Sequence, residues 1–445
     1  MKVLMLGWEF PPYISGGLGT ACYGLTKALS EQGTEIAFLL PRPVQSAYSG
    51  HVKLLTPSDS LLSAMYEEER LRRVRFCAVD VALYPYGNPT EKAIPVGEIG
   101  RQAGPGTPCS AGGAGAINVP GVVADSIPGN VNVDVNYGCD LYAQTHRYSS
   151  LACQISRREA FDVIHAHDWM TYPAGVAVAS TSGKPLVVHV HSTEFDRSGE
   201  NVNQWIYDVE RLGMHRADKV ITVSHFTKRI CLDRYGVPEE KITVVHNGVE
   251  NSEQDKCEIP LKKNHDEKIV LFLGRITMQK GPEYFIAAAK KVLEKMENVK
   301  FIMAGSGDMF TRTIELAAGM GIGHKVLFAG FLRGADVDRV FEMADLYVMP
   351  SVSEPFGLSP LEAMIHKVPV IISKQSGVAE ILHHALKVDF WDIDEMANKI
   401  ISVLRHRPLC ECLGLNAAGE AARINWSHAA AACKEIYERL VNNAA

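Results

Sequence analysis

The 445-residue sequence contains no apolar run of the roughly 18 residues that a membrane-spanning helix needs. An integral membrane segment is therefore not expected. Charge of one sign is not in excess either: 45 Lys and Arg stand against 51 Asp and Glu, a net charge of −6. No broad basic field invites nucleic acid or anionic lipid. The ten cysteines are scattered and form no CxxC, and Cys410 with Cys412 makes only a CxC. That argues against a disulfide framework and predicts reduced thiols in a cytoplasmic protein. The opening "MKVLMLGWEF" has too short an apolar run to be a secretory signal.

What is present is a globular chain too long for one ordinary core, since domains run to about 100–200 residues. Short apolar runs rich in β-branched residues alternate with helical patterns. "KVLMLG", "EIAFLLP", "FDVIHAH", "PLVVHVHS", "DKVITVS" and "KITVVHNG" read as strands covered on both faces. Helical spacing fills several of the intervals, as in "GGLGTACYGLTKALSEQG". This is βαβ grammar and implies parallel sheets with ligands at the carboxyl ends of the strands.

The grammar restarts after residue 250, where a polar linker stretch is followed by "KIVLFLG", "VKFIMAG", "KVLFAG", "DLYVMPS" and "VPVIIS". The expected organisation is a Rossmann-like domain over 1–248, a linker over 249–266 and a second Rossmann-like domain over 267–425. A closing helix follows over 426–445. Residues 85–136 are rich in Gly, Pro, Ala and Val without a period and read as a mobile surface insertion. A two-domain cleft is the expected ligand site.

Several short stretches bear on chemistry. "SGGLGT" (15–20) follows a strand and opens a helix. Gly16 and Gly17 would let backbone amides approach an anion, or simply make a tight turn. "GRITMQKG" (274–281) places Arg275 and Lys280 at a strand's carboxyl end, where a fork and a compact cation suit phosphate. "AGSGD" (304–308) offers a further glycine turn of that kind. "HAHDW" (165–169) and "HVHS" (189–192) each carry HxH. Neither completes the HxHxDH of metallo-hydrolases, so a neutral cleft histidine bonding a polar ligand is preferred to zinc. "DVD" (336–338) and "DID" (392–394) resemble metal-binding DxD pairs but precede helical runs, where first-turn acids and caps explain them. In "SEPFGLSPLEA" (353–363), Ser359, Pro360 and Glu362 spell a capping box, with Ser359 as the cap. Glu354 lies outside it, in a turn where no helix needs a carboxylate.

The order and spacing of "GWEFPPYISGGLGT", "FDVIHAHDW", "HSTEFDR", "HNGV", "GRITMQKG" and the EPFGLSPLE run resemble retaining GT-B glycosyltransferases of the group-one type. The likeness extends to glycogen and starch synthases and sugar-phosphate synthases. It covers nearly the whole chain outside 85–136. It implies a fold of two Rossmann-like domains facing a central cleft. The function it implies is transfer of a hexosyl unit, glucosyl by default, from a nucleotide diphosphate sugar to a saccharide acceptor, an α-glucan being one choice. Gly16 and Gly17 would lie near the donor's diphosphate and sugar, and Arg275 and Lys280 would neutralise that diphosphate. His167 would contact the donor sugar, Glu354 the transferred sugar's hydroxyls and Glu362 the ribose. No cofactor or metal is implied beyond the nucleotide sugar co-substrate. The presence of Glu362 leans away from bacterial glycogen synthases and leaves the donor base open. Rival readings are a GT-B nucleotide-sugar epimerase, transfer to a lipid-linked glycan, a metallo-hydrolase on the HxH pairs, and a silent sugar-nucleotide-binding module.

Overall fold

The computed structural model describes residues 1–11, 16–41, 50–55, 141–250 and 267–444. The insertion read over 85–136 and residues 251–266 of the linker lie outside these.

The first sheet has seven strands: β1 (Lys2–Leu6), β2 (Glu35–Leu39), β3 (Lys53–Leu55), β4 (Val163–His167), β5 (Leu186–Val190), β6 (Lys219–Thr222) and β7 (Ile242–Val244). Their spatial order is β3-β2-β1-β4-β5-β6-β7, and every neighbouring pair is parallel. β4 and β5 bury all five of their residues. Helices cover both faces of such a sheet, which is why its strands read as continuous apolar runs rather than as alternations.

The second sheet has six: β8 (Lys268–Leu273), β9 (Val299–Ala304), β10 (Val326–Gly330), β11 (Leu346–Met349), β12 (Val370–Ser373) and β13 (Leu386–Val388). Their order is β10-β9-β8-β11-β12-β13, again parallel throughout. In each sheet the strand order reverses once, between β1 and β4 in the first and between β8 and β11 in the second. Such a switch point leaves a crevice at the carboxyl ends because the connections on its two sides run in opposite directions.

Caps and turns follow the local sequence in several places. The helix Gly17–Glu31 stops just before Gly33, which adopts φ 80°. Asp392 caps the helix Ile393–Arg405 by accepting from the Glu395 amide at 2.9 Å. Asp336 and Asp338 lie in the first turn of the helix Ala335–Met343. Both DxD pairs thus serve helix starts. The C-terminal helix Trp426–Ala444 packs on the helix Gly17–Glu31, where a Cβ on Gly24 would stand 2.2 Å from the Trp426 indole nitrogen. Trp426, Ala430, Cys433 and Tyr437 accordingly belong to the first sheet's core. Among the described residues no helix is long and apolar enough to cross a membrane.

Candidate active site

The second switch point gathers most of the residues singled out. β8 ends at Leu273, and Gly274, Arg275 and a short turn over Met278–Lys280 follow. Gly281 has φ 65°, and a Cβ there would meet the Pro350 carbonyl at 2.2 Å. Only glycine lets the loop after β8 lie this close to the loop after β11. The approach is fastened by the Val352 amide donating to the Gln279 carbonyl at 2.9 Å. Lys280 Nζ then donates to Glu354 Oε2 at 2.5 Å, and Ser351 Oγ to the same oxygen at 3.1 Å. Glu354 is buried, with 6% of its surface exposed, so its charge has the Lys280 ammonium as its counterion. Arg275, half-buried in the same loop, donates to Gln279 Oε1 at 3.3 Å. The "AGSGD" glycines have a packing reason: Cβ atoms on Gly305 and Gly307 would fall 1.8 Å from the Gly274 carbonyl and 2.3 Å from that of Ile276.

Glu354 is held by its backbone as well. Its amide donates to Gln375 and its carbonyl accepts from Gly377, each at 2.9 Å. A Cβ on Gly377 would lie 2.2 Å from the Pro355 carbonyl and 2.5 Å from Ser224 Cβ. Gly377→Ala is therefore expected to displace the Glu354 loop. Activity should fall together with Tm; a variant with unchanged Tm and turnover would show that the loop absorbs the methyl group.

The capping box does not form. The helix is Ser359–Ile365, its cap residue is Leu358, and no side chain caps it. Leu358 already has helical angles, φ −78° and ψ −38°, so Ser359 lies inside the helix and cannot cap it. Ser359 hydrogen-bonds the Tyr347 side chain instead. The Glu362 amide bonds the Leu358 carbonyl at 3.1 Å as an ordinary helical bond. Its carboxyl is thus freed from capping. Burial, with Asp338 nearby, pushes it up to about 7.

The first switch point holds the remaining candidates. Gly16 and Gly17 begin the helix after β1, and nothing stands within 4 Å of a Cβ built on Gly16. A Cβ on Gly17 would meet the Leu358 side chain at 3.9 Å. His167 ends β4 and is fully buried; its Nδ1 lies 3.1 Å from Nε2 of His191. His191 is half-buried and stands in front of it. Burial holds His191 down to about 3, so it is neutral at pH 7. Sequence reasoning passed over His191; the available signal was its place just past β5 in "HVHS". Asp168, next in the chain, has φ 64° and ψ 163°, a strained conformation for a residue with a Cβ. Burial raises its carboxyl to about 6, with the Arg197 and Arg275 charges opposing the rise.

The two switch points meet. Ser353 Oγ donates to Asp196 Oδ1 at 2.5 Å, and Ser224 Oγ to the Pro355 carbonyl at 2.6 Å. Glu380 accepts from the amides of His225 and Phe226 at the start of the helix His225–Tyr235. The "HSTEFDR" stretch supplies Asp196 from a helix, Glu194–Ser198, that Thr193 and Asp196 close with a capping box. Beneath it Arg197 pairs with Glu194 at 3.1 Å and with Glu210, all three deeply buried.

A cation pair, a buried carboxylate and a histidine set at facing switch points match the resemblance seen in the motifs. Family models agree along the chain: "Starch synthase catalytic domain" over residues 2–90, "Glycosyltransferase Family 4" over 129–253 and "Glycosyl transferases group 1" over 253–419. An uncharacterized glycosyltransferase of Methanocaldococcus jannaschii is 31% identical over 396 residues, 86% of this chain and 83% of its own. The chain belongs to the group 1 glycosyltransferases. Sucrose-phosphate synthase from Thermosynechococcus elongatus shares the fold with TM-score 0.72 at 17% identity, covering 100% of both chains. Anabaena HepE, solved in complex with UDP-glucose, does so with TM-score 0.66 at 16% identity, covering 98% of this chain and 99% of its own. The architecture of this glycosyltransferase is GT-B.

Proposed function

We propose that this glycosyltransferase moves a hexosyl unit, glucosyl first among them, from a nucleoside diphosphate sugar to a saccharide acceptor with retention of configuration. The observation that carries the reading is the Lys280–Glu354 ion pair beside Arg275 at one switch point, facing the histidines of the other. A nucleoside diphosphate is already a leaving group, so the enzyme's task is to stabilise the negative charge that grows on it. Fixed cations and oriented amides do this with little reorganisation. Arg275 and Lys280 are the cations of the reading, and the amides at Gly16 and Gly17 its oriented donors. In the step, the acceptor oxygen forms a bond to the anomeric carbon while the bond to the phosphate oxygen breaks. The acceptor's proton passes to the leaving diphosphate on the same face. Glu354 holds the transferred sugar's hydroxyls. His191, rather than the fully buried His167 expected from the resemblance, meets the sugar in this reading, with His167 behind it fixing the ring. The likeness of residues 2–90 to starch synthases supports an α-glucan acceptor, and the UDP-glucose bound by HepE supports a uridine or similar donor.

Glu362 gives a test that combines donor and pH. Its carboxyl, raised to about 7, is protonated below that pH and becomes a full acceptor for ribose hydroxyls above it. Donor affinity should therefore tighten as pH rises from 6 to 8, and Glu362→Gln should abolish that dependence. Thermal shifts with a panel of nucleotide diphosphate sugars identify the donor, since a ligand bound only by the folded state raises Tm. Calorimetric titration of that donor across the pH range then reads the dependence. No stabilisation by any nucleotide sugar would overturn the proposed reaction.

A further inference from the structure

Four histidines share one face of the first sheet, beneath the helices Gly17–Glu31 and Trp426–Ala444. His165 and His167 stand two residues apart on β4, so both rings project to the same side. His189 is paired with His167 in the strand register, and His191 follows two residues on. The His165 and His167 ring centroids are 4.1 Å apart, and that of His189 lies 5.3 and 5.4 Å from them. Packing alone does not call for imidazoles here. The neighbouring positions Val3, Met5, Val163 and Val187 of the same core are apolar.

The three inner rings carry four buried nitrogens without a hydrogen-bond partner among the described residues: Nε2 of His165, Nε2 of His167 and both nitrogens of His189. Each such orphan costs about 1–3 kcal/mol, so four on three touching rings need a cause. We propose that Nε2 of His165, Nε2 of His167 and one ring nitrogen of His189 hold a divalent transition-metal ion, zinc fitting best, in a buried structural site. Each residue offers a ligand atom within 4.8 Å of the others. Three nitrogens around zinc, with bonds of 2.0–2.1 Å, stand about 3.3 Å apart, and rotation of the rings closes the difference.

The outer contacts of two of these rings have the form that metal-ligating histidines take. His165 Nδ1 lies 2.6 Å from the Tyr437 hydroxyl, and His167 Nδ1 is engaged by His191. In each ring one nitrogen is bonded and the other is free, the division expected when a partner holds the second nitrogen of a metal-bound histidine. Water takes the fourth position of the proposed site; Cys22 groups only with His167 and His191. Glu9 and Asp168 act on its thiol and give the neighbourhood negative charge to balance a dication. Because Tyr437 belongs to the C-terminal helix, the ion would fasten that helix to the sheet.

The test uses the full chain without a histidine tag, grown with zinc and dialysed into metal-free buffer. Metal analysis should find about one zinc per chain. Cobalt added anaerobically to chelator-stripped protein should give the visible absorption of a tetrahedral site. His189→Ala should lose both signals, His189→Cys should keep them with a thiolate band added, and His406→Ala should match the wild type. Zinc should raise the Tm of the wild type but not of His189→Ala. Wild-type protein without zinc and without a cobalt spectrum would overturn the proposal, as would full metal content in His189→Ala. If His189→Ala does not fold, the wild-type cobalt spectrum and its thiolate band in His189→Cys still decide. These readouts are independent of sugar transfer, so a failed donor assignment does not touch them.

Discussion

Lys280→Ala lowers kcat by about 10²–10³-fold, as expected when a preorganised group aimed at developing charge is removed. The donor should still bind, because Arg275 and the nucleoside contacts proposed for Glu362 remain. The substitution acts twice. In the proposed reaction it withdraws the ammonium from the leaving diphosphate, and it leaves Glu354, 6% exposed, as a buried carboxylate without its counterion. Lys280→Ala/Glu354→Gln removes the second consequence while keeping the first. If that double variant recovers stability but not turnover, the loss of kcat belongs to charge stabilisation. Single-turnover kinetics with saturating donor makes the measurement, since binding and chemistry then separate. Near-normal turnover in Lys280→Ala would remove the residue from the proposed mechanism.

Arg197→Ala destabilises the fold by about 3–5 kcal/mol, the usual consequence of removing one partner from a buried ionic cluster. The Arg197 side chain is 6% exposed and pairs with Glu194 at 4% and Glu210 at 2%. Glu210 also accepts from the Tyr235 hydroxyl and from the Glu194 amide. Without the guanidinium, two carboxylates remain buried without their shared counterion. The pH dependence has a definite sign. Burial already raises Glu210 to about 7, while Arg197 opposes the rise. A carboxyl raised in the folded state binds protons there more tightly than in the unfolded chain. Its contribution is therefore fully present below the ordinary glutamate range and declines as pH climbs from there through about 7. Loss of Arg197 pushes Glu210 further up, so the variant's deficit should be smaller at pH 5 than at pH 8. Urea unfolding at the two pH values checks this. An equal deficit at both would place the cost in the lost contact of the guanidinium with Trp169, whose ring centroid lies 6.0 Å from its central carbon.

Asp196 connects this cluster to function. The helix Glu194–Ser198, supported by Arg197, presents Asp196 to Ser353, one residue before Glu354. Softening the Arg197 cluster should therefore slow transfer as well as lower stability, although Arg197 is assigned no contact with substrate.

The sequence by itself determined the strand and loop grammar, its restart in a second parallel sheet, and the loop positions of Gly16, Arg275, Lys280 and Glu354. Each of these rests on a pattern within about ten residues, where side-chain alternation and glycine turns act locally. Only the tertiary structure decided which of those residues meet. Lys280 and Glu354 are 74 residues apart and pair because β8 and β11 are neighbours at a switch point. Strand order depends on long-range packing that no local pattern encodes. The capping box misread "LSPLE" for the same kind of reason. Whether Leu358 or Ser359 begins the helix depends on backbone angles set by the loop before it, and Tyr347 claims the serine hydroxyl. His167 and His191 sit equally at strand ends in the sequence. One is sealed and the other half-open because the register of two parallel strands and the helices laid across them fix depth, a property that exists only once the chain is packed.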